Sequence, residues 1–226
     1  MCGRFTLQTP VKELATFFGL AETPDLAARY NIAPTQPVAT VVVLTGNRRL
    51  RLMRWGLVPP WAKDLSIGSR MINARAETVA EKPAFRSAFK HRRCLVMADG
   101  FFEWQTKGKA KQPYHVARKD GSPFAFAGLW ERWEPADGGE PVESCTIITT
   151  EANALVRRFH DRMPVILDPE DFDLWLDPAV TEPERLPPLL RPYPAEKMEA
   201  YPVSSIVNSP AHESAECLQP VSVSEP

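Results

Sequence analysis

The stretch that decides the fold runs from Val38 to Gly56, "VATVVVLTGNRRLRLMRWG". β-Branched side chains fill Val38–Leu44, and two heavy substituents on Cβ favour extended backbone. A second run, "LRLMRWG" from Leu50, follows after "TGNRR", in which Gly46 and Asn47 supply turn chemistry. The two runs are expected to form a β-hairpin.

Working outward toward the C-terminus, "CLVMADGFFEWQ" (94–105) reads as a second hairpin, turning at Asp99 and Gly100. "PYHVAR" (113–118) with "PFAFAGLW" (123–130) reads as a third, turning at Asp120 and Gly121, and "SCTIITT" (144–150) adds an apolar strand. On the N-terminal side, "TPVKELATFFGL" (9–20) is the clearest helix. Thr9 is placed to cap it, Pro10 suits its first turn, Val11, Leu14, Ala15 and Phe18 share one face, and Gly19 ends it. Short helices are expected at "PAFRSAFKH" (83–91), "EANALVRRF" (151–159) and "PEDFDLWL" (169–176).

The 23 prolines are spread along the whole chain, which limits long helices and cuts strands short. Strands and short helices without a βαβ rhythm point to an α+β fold: one domain of mainly antiparallel short strands and hairpins around an irregular, barrel-like core. No glycine-rich phosphate loop is present, which excludes Rossmann and P-loop readings. The domain is expected to span residues 1–208. Residues 209–226 are polar and proline-containing, and are expected to form a loosely packed tail.

At 44% hydrophobic and 24% charged residues the chain is neither fibrous nor disordered in composition. No run approaches the ~20 apolar residues of a membrane span, and no basic-then-apolar leader begins the sequence, so a cytoplasmic location is expected. Cys2, Cys94, Cys145 and Cys217 form no C-x-x-C pair and read as free thiols. His91, His115, His160 and His212 are dispersed, so no metal and no other cofactor is expected. The net charge of −1 excludes a uniformly basic nucleic-acid binder, yet "GNRRLRLMRW", "FKHRRC" and "VRRFHDRM" would build a basic groove if gathered on one face.

The chemistry begins at "MCGRFT". Aminopeptidases remove an initiator methionine that precedes a small residue, which would leave an α-amine and a thiol on Cys2. With a reference pKa of about 7.7–8.0, roughly a tenth of such an amine is unprotonated at neutral pH, a few hundred times the fraction for a lysine. The amine condenses with an aldehyde to an imine, and the thiol adds to the imine carbon to close a five-membered thiazolidine. Farther on, "MINARAET" places Asn73 and Arg75 on one face of an extended segment, an amide to orient a reacting group and a guanidinium to bind an anion. Glu103 lies among aromatics in "ADGFFEWQ", where a carboxylate gains a raised pKa and shuttles protons, unless it sits on a solvent face. His160, in "RRFHDRMP", is of the type best suited to exchange protons near pH 7.

"MCGRF", "RYNIAP" (29–34), "WGLVPPW" (55–61), "INARAET", "CLVMADGFFEW" and "HDRMPVIL" occur in one order over residues 2 to about 167, and "YPVSSIVN" follows. In this the chain resembles the SRAP family, the SOS response-associated peptidase-like proteins. The resemblance implies a sensor of abasic sites in single-stranded DNA that cross-links to them covalently through Cys2 as a thiazolidine, shielding the lesion from strand cleavage during the DNA damage response; no stretch of the sequence suggests an interface, so a monomer is expected. It implies that Asn73 positions sugar and amine, that Glu103 assists proton transfer at the amine, and that His160 acts on the sugar oxygen during ring opening. It further assigns Arg4, Arg75 and Arg162 to phosphates and Trp61 to a stacking or wedging surface. Here "PPWAKD" carries one tryptophan where some relatives carry two adjacent aromatics. Two other readings use the same residues: a cysteine peptidase acting on its own first peptide bond, and a non-covalent module that binds modified DNA.

Overall fold

The computed structural model describes residues 2–23, 25–108, 110–181 and 185–222. Along the chain come β1 (Phe5–Leu7), α1 (Val11–Phe18), β2 (Arg29–Ile32), β3 (Pro37–Leu44), β4 (Asn47–Trp55), β5 (Asn73–Arg75), α2 (Arg86–His91), β6 (Arg93–Ala98) and β7 (Gly100–Lys107). There follow β8 (Ala110–Arg118), β9 (Phe124–Trp133), β10 (Val142–Glu151), β11 (Arg162–Pro164), β12 (Ile166–Leu167), α3 (Phe172–Leu176) and β13 (Met198–Pro202).

The Val38–Gly56 stretch forms the expected hairpin with a tighter turn. Leu44 pairs with Asn47 across Thr45 and Gly46, whose φ values of 50° and 80° are both left-handed. That conformation matches the right-handed twist of the strands it joins. Asn47 through Arg49 are therefore strand residues.

Around this hairpin a ring closes. β4 pairs with β3, β3 with β6, β6 with β9, β9 with β10, and β10 with β4 again. Among the described residues only the pairings of β10 with β4 and β5 are parallel. A second sheet, ordered β13-β8-β7-β1-β2, packs against this barrel. Phe5 seats it, with its ring 5.1 Å from Trp55 and 5.6 Å from Phe126, and Phe101 adds a contact at 6.2 Å to Phe126.

Two expected hairpins are instead corners between the sheets. β6 belongs to the barrel and β7 to the second sheet, with Asp99 alone between them. The Asp99 carboxylate accepts hydrogen bonds from Gln8 N, Thr9 N, Thr9 Oγ1 and Thr6 Oγ1 at 2.5–2.9 Å, so it fixes the β1–α1 connection rather than a reversal. Likewise Asp120 and Gly121 lead β8 out of the second sheet and into the barrel as β9. The actual hairpin is β7–β8, with Lys107 opposite Ala110 and Gly108 at φ 59° in the turn.

α1 buries Leu14, Ala15 and Phe18 and ends at Gly19 in the left-handed conformation. Thr9 does not cap it, because its hydroxyl is engaged by Asp99, and Pro10 occupies the cap position. "EANALVRRF" makes only a 3₁₀ turn at Val156–Arg158, and "PEDFDLWL" a 3₁₀ turn leading into α3.

The expected loose tail is corrected for residues 209–222. Cys217 is buried with Phe102, Val203 and Val207, and Val203 bridges to Pro220. Asn31 Nδ2 donates to the carbonyls of Val207, Ser209 and His212, while Glu213 accepts from the backbone amides of Tyr30 and Asn31 and from Arg29. The polar residues of this segment are caps for buried amides, which is why polarity misled. Residues 223–226 lie outside the described residues.

Candidate functional site

Cys2 enters β1 fully buried, with its Sγ turned back to 4.0 Å from the Arg4 carbonyl. Burial, reinforced by the nearby Glu103 carboxylate, pushes its thiol well above the ordinary range. β1 runs antiparallel to β7, with Phe5 opposite Phe101 and Phe102 N donating to Arg4 O. Carried one residue on, this register sets Glu103 beside Gly3, next to Cys2.

Glu103 is buried, not on a solvent face, and desolvation raises its pKa to about 7. A carboxyl so poised both donates and accepts a proton near neutrality. Its cross-strand neighbour on β8 is Tyr114, whose ring stacks on Phe159 at 4.5 Å. Phe159 immediately precedes His160, so the stack brings His160 to Glu103. The two line an open depression of about 380 Å³ together with Trp104, Lys111 and Asn208.

Two contacts compete for Nδ1 of His160. The Arg162 amide donates to it at 2.9 Å, and Asp161 Oδ1 lies 2.7 Å away. The Asp161 contact needs a proton on Nδ1, and the Arg162 contact needs none. The Asp161 side chain is 85% exposed, whereas the Arg162 amide is fixed by its place in β11, so the backbone bond sets the tautomer. Burial lowers the pKa of His160, and the neutral ring presents Nε2–H as its donor.

The end of β10 gathers the remaining groups. One edge pairs with β5, Ile147 to Asn73 and Thr149 to Arg75; the other pairs with β11, Glu151 to Arg162. Asn73 Nδ2 donates to the Cys2 carbonyl at 2.9 Å, while its Oδ1 is buried without a partner. An acceptor left in that state is destabilising by about 1–3 kcal/mol and retains the capacity to accept a hydrogen bond.

Of the four groups expected to contact DNA, three arginines at phosphates and Trp61 as a stacking or wedging surface, Arg75 and Trp61 are exposed, Trp61 at 59%. Core packing of Trp61 is thereby ruled out. Arg4 is half-buried and donates to Asn31 Oδ1 at 2.6 Å, Val207 O at 2.7 Å and Asn208 O at 3.1 Å. Arg162 forks onto Glu77 at 2.5 and 2.9 Å and donates to Thr149 O at 2.6 Å.

A family model described as SOS response associated peptidase (SRAP) matches residues 1–210. The chain belongs to the SRAP family. Its relatives include the abasic site processing protein YoqW of Bacillus subtilis, 47% identical over 97% of this SRAP chain and 99% of the relative. The abasic site processing protein HMCES of Gallus gallus is 37% identical, over 80% of this chain and 60% of that longer protein. Among solved structures, a crystal structure of a protein from Bacteroides thetaiotaomicron has a TM-score of 0.86 at 29% identity, covering 97% of this chain and 100% of that one.

Sequence reasoning missed three parts of this SRAP site: the Glu77 carboxylate on Arg162, the Tyr114–Phe159 stack, and the Trp104–Asn208 wall, where Nε1 donates to Oδ1 at 2.7 Å. Each depends on residues far apart in sequence. Only Glu77 left a signal, sharing the "INARAET" face with Asn73 and Arg75. Among the described residues no group of three or more His, Cys, Asp or Glu is placed to hold a metal ion, and no helix is long and apolar enough to cross a membrane.

Proposed function

We propose that this protein captures abasic sites in single-stranded DNA by a covalent bond from Cys2, formed once Met1 has been removed. The observation that carries the reading is a buried carboxyl with pKa about 7 close enough to Cys2 to act on its thiol, an amide that holds the Cys2 carbonyl, and a histidine beside that carboxyl in one depression. The names of the relatives agree with it.

An abasic deoxyribose equilibrates between a closed hemiacetal and an open aldehyde. His160 donates a hydrogen bond from Nε2 to the ring oxygen as the ring opens; the C1′ hydroxyl gives its proton to the Glu103 carboxylate, which passes it to the ring oxygen, so the imidazole stays neutral and no net proton is gained. The α-amine of Cys2 adds to the aldehyde, and Glu103 takes a proton from the attacking nitrogen and returns it to the departing hydroxyl, so that water leaves and an imine forms. The free Oδ1 of Asn73 accepts a hydrogen bond from that amine. The thiol then adds across C=N, its sulfur bonding to carbon and its proton passing to nitrogen. The thiazolidine closes without oxidant or metal, and the imine is diverted before β-elimination breaks the strand. Arg75, Arg162 and Arg4 supply positive charge to the backbone, and exposed Trp61 a sequence-tolerant stacking surface.

The peptidase reading calls on the same Cys2, Glu103 and His160, but it predicts no adduct with DNA. To test the reading, purified protein is incubated with a single-stranded oligonucleotide carrying one abasic site and run on a denaturing gel. A shifted band is expected for wild type and lost in Cys2→Ser, which retains imine chemistry and nicks the strand. Equal adduct from both proteins, or Met1 still attached to Cys2 in the adduct by mass spectrometry, would sink it.

A further inference from the structure

We propose that Glu77 is an internal competitor for DNA phosphate: its carboxylate occupies the guanidinium fork of Arg162 until the bound strand displaces it. The proposal rests on the reading of Arg162 as a phosphate ligand made above.

The geometry is that of a phosphate contact made to a carboxylate. Nη1 and Nη2 of Arg162 meet Oε1 and Oε2 of Glu77 at 2.5 and 2.9 Å, the bidentate pattern a guanidinium offers to either anion. The two partners differ in how firmly they are held. The Arg162 side chain is 15% exposed and is anchored a third time by the Thr149 carbonyl, whereas the Glu77 side chain is 52% exposed. Glu77 follows β5 on a turn whose amides bond elsewhere, Ala76 to Thr149 O and Thr78 to Arg75 O. Its carboxylate therefore swings into water without unmaking those two amide bonds, and the Thr149 carbonyl holds the guanidinium where it is. The hydrogen bond from Arg162 also holds the Glu77 carboxyl below its ordinary range, so the competitor is ionised throughout the neutral range.

The consequence is selectivity. Every intact strand must displace Glu77 to reach Arg162, which weakens reversible binding to undamaged DNA. An abasic site is captured covalently all the same, because bond formation follows each productive encounter. Removing the competitor strengthens reversible binding and erodes that distinction.

The test is fluorescence anisotropy of an undamaged labelled single strand with wild type, Glu77→Gln, Glu77→Asp, Arg162→Gln and Glu77→Gln/Arg162→Gln, over a range of salt. Glu77→Gln is expected to bind about fivefold more tightly at every salt concentration, because Arg162 meets phosphate without first giving up an ion pair worth about 1 kcal/mol. Glu77→Asp keeps the charge but shortens the reach, and is also expected to bind more tightly than wild type. The gain from Glu77→Gln is expected to vanish when Arg162 is already Gln. A gain that persists there, no gain for Glu77→Asp, or weaker binding by Glu77→Gln overturns the proposal, the last by showing that Glu77 orients Arg162 instead. The abasic-strand gel reports separately on cross-linking, so a wild type that binds but forms no adduct refutes the covalent reading and leaves this one standing.

Discussion

Glu103 and His115 are buried titratable groups with opposite effects on stability. Glu103 has a folded pKa of about 7 against an ordinary 4.5, so the folded state holds its proton more tightly than the unfolded state. Its ionisation destabilises the fold progressively as pH rises from 4.5 through 7. His115, driven down to about 4 from 6.5 by burial, destabilises the fold as pH falls from 6.5 through 4. The two trends offset one another in wild type. Glu103→Gln is expected to melt higher than wild type at pH 8 and about equally at pH 4.5, and to lose stability on acidification more steeply. A parallel pH dependence of Tm for the two proteins would contradict this assignment. At Asn73, substitution by Ala frees the Cys2 carbonyl and is expected to slow adduct formation by about a hundredfold while affinity for undamaged DNA is retained, as rate and binding measurements would resolve.

Among elements, the β6–β7 corner and the β7–β8 hairpin carry the site. A Cβ added at Gly100 would lie 2.0 Å from His115 Nε2 and 2.9 Å from Thr6 Oγ1, so Gly100→Ala is expected to destabilise by about 3 kcal/mol in denaturant melts. The Tyr114–Phe159 stack makes a different prediction. Tyr114→Leu keeps the strand apolar but removes the ring under Phe159, and is expected to slow cross-linking several-fold by misplacing His160, with DNA affinity unchanged. At this scale the sequence was legible where the signal was local. The Val38–Gly56 hairpin and the face of α1 follow from period and turn chemistry, and the ordered motifs pointed to Cys2, Asn73, Glu103 and His160. Asp99-Gly100 and Asp120-Gly121 carry the same turn chemistry as a hairpin, yet they pass the chain between sheets. At Asp99-Gly100 that difference is decided by Thr6, Thr9 and His115, which no local window contains.

For the molecule as a whole, the last segment is part of the site's wall. Arg4, Asn31 and Trp104 hold Val207 and Asn208, and Glu213 and Cys217 hold the segment that follows. Truncation after Ser209 uncovers Phe102 and Val207 and is expected to lower stability by about 3 kcal/mol or more, with loss of adduct in parallel. The burial of Cys2 has a consequence in time. β1 is synthesised first, but its partner β7 emerges only after Phe101, about 5–20 s later at ordinary rates of translation. The segment at Val207 and Asn208 that accepts from Arg4 emerges later still. If the amine of Cys2 is the nucleophile, the aminopeptidase must cleave during that interval, while the first strand is unpaired. A chain that folds with Met1 in place is then expected to resist aminopeptidase until it is unfolded, which makes the pace of synthesis a determinant of how much protein is born reactive.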